Sequence, residues 1–549
     1  MTNEVRRHFL LLGAACRLPS FVIDIAHRIT AIRRQISCAS QYPTRPAEKR
    51  RRQLIAACAD RPLVTGLSRQ WLLALRPRRW MPALVIGICS VLHPALSGLG
   101  YAQSGSQTPP PLTPLRYDED YSYLADPKAR SGAWWEPLKY IPLNETGDIY
   151  LTLGGEIRLR YEGFENNNWG DEPAPDDGYL WYRALPTADL HLGQNVRLFG
   201  ELIGAWAEGK QPSDTPVDGT DVDLLQGFVD VSVPLGDQGT FLTLRPGRQM
   251  LSYGSERLIG TRYGPNVLRT FDGIKGFMDG DGWRVDGFYA RPVEPGLDDF
   301  DDKSHDELST WGLYSTIDLP VGGKSGLDAY YIGYDNEAAV FNQGTGSEER
   351  HTVGARFFGE AQDWDWNWEA MYQFGEFGNG DISAWSVASS TGYTFAHAPL
   401  SPRLGLKANI ISGDDDPDDA DLQTFNPLFP KGKYFGELSL IGPENLINFH
   451  STLDLQLGDG WSLGGATVLY WRESTGDGIY DVGGNLIRDD GGSDERFIGT
   501  QAEVALSYEY NRNLNAMISY SRFYPGAFIE DTGPSKTVDF VGAEMQVQF

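Results

Sequence analysis

The stretch VGAEMQVQF at positions 541–549 puts Val541, Ala543, Met545, Val547 and Phe549 on one face of an extended segment and Glu544, Gln546 and Gln548 on the other. Successive side chains of a strand point to opposite faces of a sheet. A wall between lipid and water needs one apolar and one polar face, and an outer-membrane barrel closes on such a strand with a terminal aromatic. One segment of this kind also suits a soluble sheet, so repetition decides. The pattern returns in DWDWNWEAMYQF (363–374), where Trp364, Trp366, Trp368, Ala370, Tyr372 and Phe374 oppose Asp363, Asp365, Asn367, Glu369, Met371 and Gln373. It returns again at 155–161, 404–410, 453–457 and 501–510. These runs of about 5 to 12 residues, broken by Gly, Asp, Asn or Pro, reach the length of a tilted strand crossing a bilayer.

Composition agrees with this reading. The 47 basic and 74 acidic residues argue against general affinity for nucleic acid. The 15 Trp and 26 Tyr supply the amphipathic rings that collect at membrane interfaces, and 63 Gly supply turns. Cys16, Cys38, Cys58 and Cys89 all lie in the first hundred residues. A chain crossing an oxidising periplasm unfolded gains from having no thiols to mispair.

From Arg76 the sequence RPRRWMPALVIGICSVLHPALSGLGYAQ reads as a basic region, an apolar region and a small-x-small end at Gly100 and Ala102. This is the pattern of a secretory signal peptide cleaved near Ala102. The preceding stretch is longer than such signals need, which points to a start assigned too early, with Met81 or a nearby upstream codon as the beginning. Loss of residues 1–102 leaves 31 basic and 70 acidic groups, a balance of about −39. The expected domains are this extension (1–102), a Pro-rich linker and periplasmic lead-in (103–145), and a barrel (146–549).

The fold expected is all-β, a transmembrane antiparallel β-barrel of about 18 strands, from roughly 25 residues per strand with half its connections. Acidic stretches at 165–177, 214–223, 294–307 and 413–421 suit extracellular loops, and the break LGDGW (457–461) suits a periplasmic turn.

Several segments carry a resemblance: LTLGGEIRLRYE (151–162), RPGRQMLSYGSERLIG (245–260) running on to RTFDGIKG (269–276), TFNPLFPKGKY (424–434), YWRESTGDGIY (470–480) and YSRFYPGAF (520–528). Together they resemble the alginate-export family of outer-membrane barrels. The resemblance implies a monomeric barrel of about 18 strands in the outer membrane of a Gram-negative bacterium that passes an anionic polysaccharide. The long N-terminal extension departs from the family pattern, and the family's distant members need not carry alginate.

If the apolar face of each strand meets lipid, the other lines the lumen. Arg158 and Arg160 alternate with Ile157, Leu159 and Tyr161, and Arg197, Arg284, Arg356 and Lys407 alternate likewise with apolar neighbours. A cation facing lipid at mid-depth costs about 2–4 kcal/mol, so these side chains face inward or sit at the rim. The densest basic segment, 245–275, adds Arg245, Arg248, Arg257, Arg262, Arg269 and Lys275, and by resemblance it contributes to the conduit. Rings of Arg and Lys select anions. The competing role is internal bracing, with these cations paired to inward acids such as Glu156, Glu201, Asp230 and Asp286. The acidic run at 412–421 has oxygen donors enough for Ca²⁺ but lacks the spacing of an EF-hand loop.

The function expected is a passive channel with no cofactor, in contact with outer-membrane lipid and lipopolysaccharide and conducting an anionic polysaccharide or a smaller anionic solute. Export would also require periplasmic proteins that hand over the polymer. The alternatives are a general or uptake porin for small solutes and a barrel-embedded hydrolase. For the last, the histidines of the barrel region stand singly, and HExxH does not occur.

Overall fold

The computed structural model describes residues 109–236, 240–321 and 323–549; the signal-peptide reading falls outside them. Eighteen long strands run in chain order. They are β1 (Ile149–Glu165), β2 (Asp177–Leu192), β3 (Val196–Glu208), β4 (Asp221–Leu235), β5 (Thr240–Gln249) and β6 (Phe271–Gly280). There follow β7 (Trp283–Glu294), β8 (Leu308–Leu319), β9 (Lys324–Phe341), β10 (Gly344–Ala361), β11 (Trp364–Phe377) and β12 (Gly380–Thr394). The last six are β13 (Arg403–Ile411), β14 (Leu446–Gly458), β15 (Trp461–Trp471), β16 (Phe497–Asn511), β17 (Leu514–Pro525) and β18 (Val538–Gln548).

Each strand pairs antiparallel with the next, and β18 closes the sheet on β1 from Glu156 opposite Gln548 to Glu165 opposite Asp539. Closure leaves no unpaired edge, the condition for a sheet in hydrocarbon. Connections alternate between the two ends of the barrel. Turns such as 281–282, 362–363, 459–460 and 512–513 lie at the end where β1 begins and β18 finishes, and the loops 250–270, 412–445 and 472–496 lie at the other.

The period-2 pattern expected for 363–374 is observed. Trp364, Trp368, Ala370, Tyr372 and Phe374 are exposed on the outside, while Glu369, Met371 and Gln373 are buried inside. Ile157 is 58% exposed and its neighbour Arg158 is 2% exposed. Trp283, Trp364, Trp461 and Tyr510 stand beside the short turns on the outer surface, as an interfacial girdle requires.

Leu313, 60% exposed near the centre of β8, lies in the apolar band between the girdles. Leu313→Arg is expected to cost about 2–4 kcal/mol, read as a lowered urea midpoint for folding into phospholipid vesicles. An unchanged midpoint would place this position outside the band.

Candidate functional site: the lumen and its inward loops

The inward face is a wall of ion pairs. The Arg245 guanidinium donates two bonds to Asp230, at 2.6 and 2.7 Å. Arg248 meets Asp272 in the same forked geometry at 2.8 and 2.9 Å. Lys275 and Arg284 share Asp286, at 2.8 and 2.7 Å. Arg197 pairs with Asp189, Arg356 with Asp328, and Arg183 with Glu156. Most of these pairs join adjacent strands, so each ties the sheet across its width as well as neutralising a buried charge.

Two connections turn into the barrel. The segment 250–270 meets β1 and β2, where Arg158 donates to the carbonyls of Tyr263 (3.0 Å), Gly264 (3.1 Å) and Pro265 (2.7 Å). It also meets β11, where Arg257 pairs with Glu369 and donates to Asn367 at 3.0 Å. In a ring of eighteen strands β1 and β11 lie nearly opposite, so this segment spans the lumen. The segment 412–445 does the same. Arg350 on β10 donates to the Thr424 carbonyl and Gln373 on β11 to that of Asn426, while Glu437 receives Arg160 of β1 at 2.6 Å. The two segments bond to each other through the Gly260 amide to the Phe429 carbonyl and the Phe429 amide to the Leu258 carbonyl, both 2.8 Å. Arg269 adds a bond to the Pro430 carbonyl at 3.1 Å. The stretch 413–421, expected as an external loop, therefore leads into a lumenal crossing.

At the end where β1 begins and β18 finishes, residues 109–140 form short turns that pack on the barrel. Tyr117 sets its ring edge-on to the inward Phe199 and Phe228, and Arg116 donates to the Phe549 carbonyl. A cavity of about 580 Å³ opens beside this segment, lined by Tyr117, Arg197, Arg245, Tyr253, Lys275 and Arg284 among others.

The sequence-predicted cations thus divide. Arg160, Arg197, Arg245, Arg248, Arg257, Lys275, Arg284 and Arg356 each hold a carboxylate. Arg158 is spent mainly on carbonyls, with Glu544 at 3.9 Å. Among the described residues the Arg262 guanidinium donates to the Val267 carbonyl, and that of Arg269 to the Pro430 carbonyl while lying over the Phe429 ring; neither pairs with a carboxylate. Lys407 and Lys431 have no acid partner among the described residues. Burial, together with Lys407 and Arg257, lowers the Lys431 ammonium to about 8. Sequence reasoning passed over Arg183 and Arg350, both essentially fully buried, although each alternates on its strand like the arginines it singled out. It also passed over Lys431 and Lys433, whose inward placement no local signal marks.

Metal-binding capacity is limited. In the run 412–421, the side chains of Asp414, Asp416 and Asp419 accept from the amides of Asp416, Asp418 and Asp421. Asp223, Asp301 and Asp302 bring carboxylate oxygens within 4.8 Å of one another, but Leu224, Thr220, Gly296 and the Asp302 amide already engage Asp223 and Asp302.

A closed eighteen-stranded barrel with an apolar outer band and a charged lumen crossed by two loops defines an outer-membrane channel. The chain belongs to the alginate export family, which matches residues 149–543. Among solved structures it is similar to OccK2 (OpdF) of Pseudomonas aeruginosa, at 12% identity over 73% of this chain and 97% of that one, with a TM-score of 0.48. It is also similar to a BenF-like porin of Pseudomonas fluorescens Pf-5, at 10% identity over 73% and 98%, with a TM-score of 0.49. No curated protein matches.

Proposed function

We propose that this channel passively conducts an anionic polysaccharide, or a smaller anionic solute, through its lumen, without catalysis. The observation that carries the reading is the set Arg262, Arg269, Lys407 and Lys431. These cations lie on the two crossing segments or on the inward face of β13, and no carboxylate among the described residues pairs with them. In a chain whose balance from 103 onward is about −39, unneutralised cations on the conduit favour anions there and leave the acidic excess for the outside. The paired arginines brace the wall, and their guanidinium hydrogens can exchange an internal carboxylate for one on a passing ligand.

The test is single-channel recording of the purified protein in a planar bilayer under a salt gradient, with uronate oligomers added. A reversal potential showing anion preference, together with block by the oligomers, is the expected result. Cation preference, or indifference to the oligomers, would leave the general small-solute porin as the better reading.

A further inference from the structure

We propose that residues 113–119 form a stopper that closes the lumen at rest from the end where β1 begins, and that the channel opens when this segment swings out on its tether to β1. Whether the route is open is separate from which ions it prefers, so the stopper does not depend on the charge of the solute.

The chain makes an excursion into the barrel and returns. Its two flanks stay at the mouth. The Pro110 carbonyl accepts from Arg512 in the 512–513 turn, and the Lys139 carbonyl accepts from Thr152 near the start of β1, both at 2.8 Å. Between them a single 3-10 turn at Arg116–Asp118 forms the tip. The Tyr117 ring lies edge-on to Phe199 and Phe228, and the Arg245 guanidinium sits 4.2 Å from the ring centre. Phe228 and Arg245 stand midway along β4 and β5, so the tip reaches the middle depth of the lumen.

There it meets the first crossing segment. The Tyr117 hydroxyl donates to the Met250 carbonyl at 3.3 Å, and Leu115 packs on the apolar cluster that holds Met250, Val267 and Leu268. Tip and crossing therefore fill the β3–β5 side of the lumen together. What stays open beside them is the cavity of about 580 Å³, lined by Asp118 from the tip and by Lys275, Arg284 and Tyr314 from β6, β7 and β8.

The attachments suit a part that comes and goes. Neighbouring wall strands are joined by continuous ladders, whereas the described part of the lead-in pairs with the wall only where Ile141 and Pro142 stand opposite Leu151 and Tyr150. That short pairing is the hinge. The tip itself is held by side-chain contacts and by the Arg197 bond to the Tyr117 carbonyl at 2.6 Å, none of them part of a ladder. Its Asp118 carboxylate is exposed to a cavity that Arg197, Arg245, Lys275 and Arg284 line with Asp230 and Asp286. Opposite charges attract across such a gap, and a cation at the same place would be repelled. A closure is also what the architecture needs, since a barrel of this size carries an aqueous channel wherever nothing fills it.

The test is unitary conductance of the purified protein in a planar bilayer bathed in KCl. Asp118→Lys, an exposed change that leaves the apolar seat of the tip intact, is expected to raise the conductance about twofold or more, toward that of an unobstructed barrel. Leu115→Ala/Tyr117→Ala should do the same, and a peptide PPPLTPLRYDEDY, copying 109–121, should return that variant to the wild-type level when added to both sides. Leu143→Ala, exposed and beyond the hinge, should leave the current as it was. Gel migration of unheated samples checks that each barrel is folded. Wild-type conductance in both folded variants would overturn the stopper. Ion preference is read separately from the reversal potential. Anion preference with unaltered conductance removes the stopper and leaves the conduction reading, and raised conductance without anion preference does the reverse.

Discussion

Arg158→Ala is expected to raise single-channel conductance and to add rapid flicker between current levels. The Arg158 guanidinium, almost wholly buried on β1, donates three bonds to the successive carbonyls of Tyr263, Gly264 and Pro265. A carbonyl is a weak acceptor beside a carboxylate, but a charged donor strengthens each bond, to about 1.5–3 kcal/mol net. Arg183 also reaches the Tyr263 and Pro265 carbonyls, and the Tyr263 hydroxyl reaches Glu156, so the anchor is weakened and not abolished. A loss of about 2–4 kcal/mol would shift the balance between seated and released forms of the crossing by roughly 30- to 1,000-fold. Because this end of the segment faces Arg257 and Glu369 across the lumen, release at β1 swings a tethered strap away from the conduit. Traces identical to wild type would mean that the contacts with 412–445 alone hold the segment in place. The double variant Arg158→Ala/Arg183→Ala then separates the anchors.

Arg160→Ala is expected to give the largest loss of stability among the lumenal variants. One guanidinium holds three carboxylates through three different nitrogens, with Nε to Glu162 at 2.7 Å and the two terminal nitrogens to Glu544 at 2.8 Å and Glu437 at 2.6 Å. Lys433 then bridges Glu162 and Glu437, at 3.1 and 3.2 Å. Removing the guanidinium leaves three acids around one ammonium. Breaking a buried ion pair from one side costs about 3–5 kcal/mol, because the partner charge stays buried and uncompensated. The measurement is urea unfolding in vesicles, read by tryptophan fluorescence. Arg160→Lys should recover only part of the loss, since one ammonium cannot reach three separated carboxylates in the fork geometry. Adding Glu162→Gln to Arg160→Ala should recover more. A wild-type midpoint for Arg160→Ala would show that the cluster is solvated.

The wall of this protein was legible in its sequence, and its interior was not. The alternation of Trp364 to Phe374 with Asp363 to Gln373 specifies a strand with one face to lipid, because the period of two is a property of each strand alone. The count of about eighteen strands followed from chain length at roughly 25 residues per strand, and the expectation that Arg158, Arg160, Arg197, Arg284, Arg356 and Lys407 face inward followed from the same alternation. What each of these arginines meets depends on residues far away in the chain. Arg158 finds Gly264 106 positions on, and Arg160 finds Glu437 277 positions on. Nothing local in 250–270 or 412–445 distinguishes a loop that folds outward from one that crosses the lumen. That outcome rests on the buried ion pairs and apolar contacts available inside the closed ring, such as Phe429 against Phe271 and Tyr334. The sequence by itself determined the barrel, since strand amphipathicity is local. Only the tertiary structure decided which cations brace the wall and which remain without an acid partner, because charge pairing is settled by neighbours that closure of the barrel brings together.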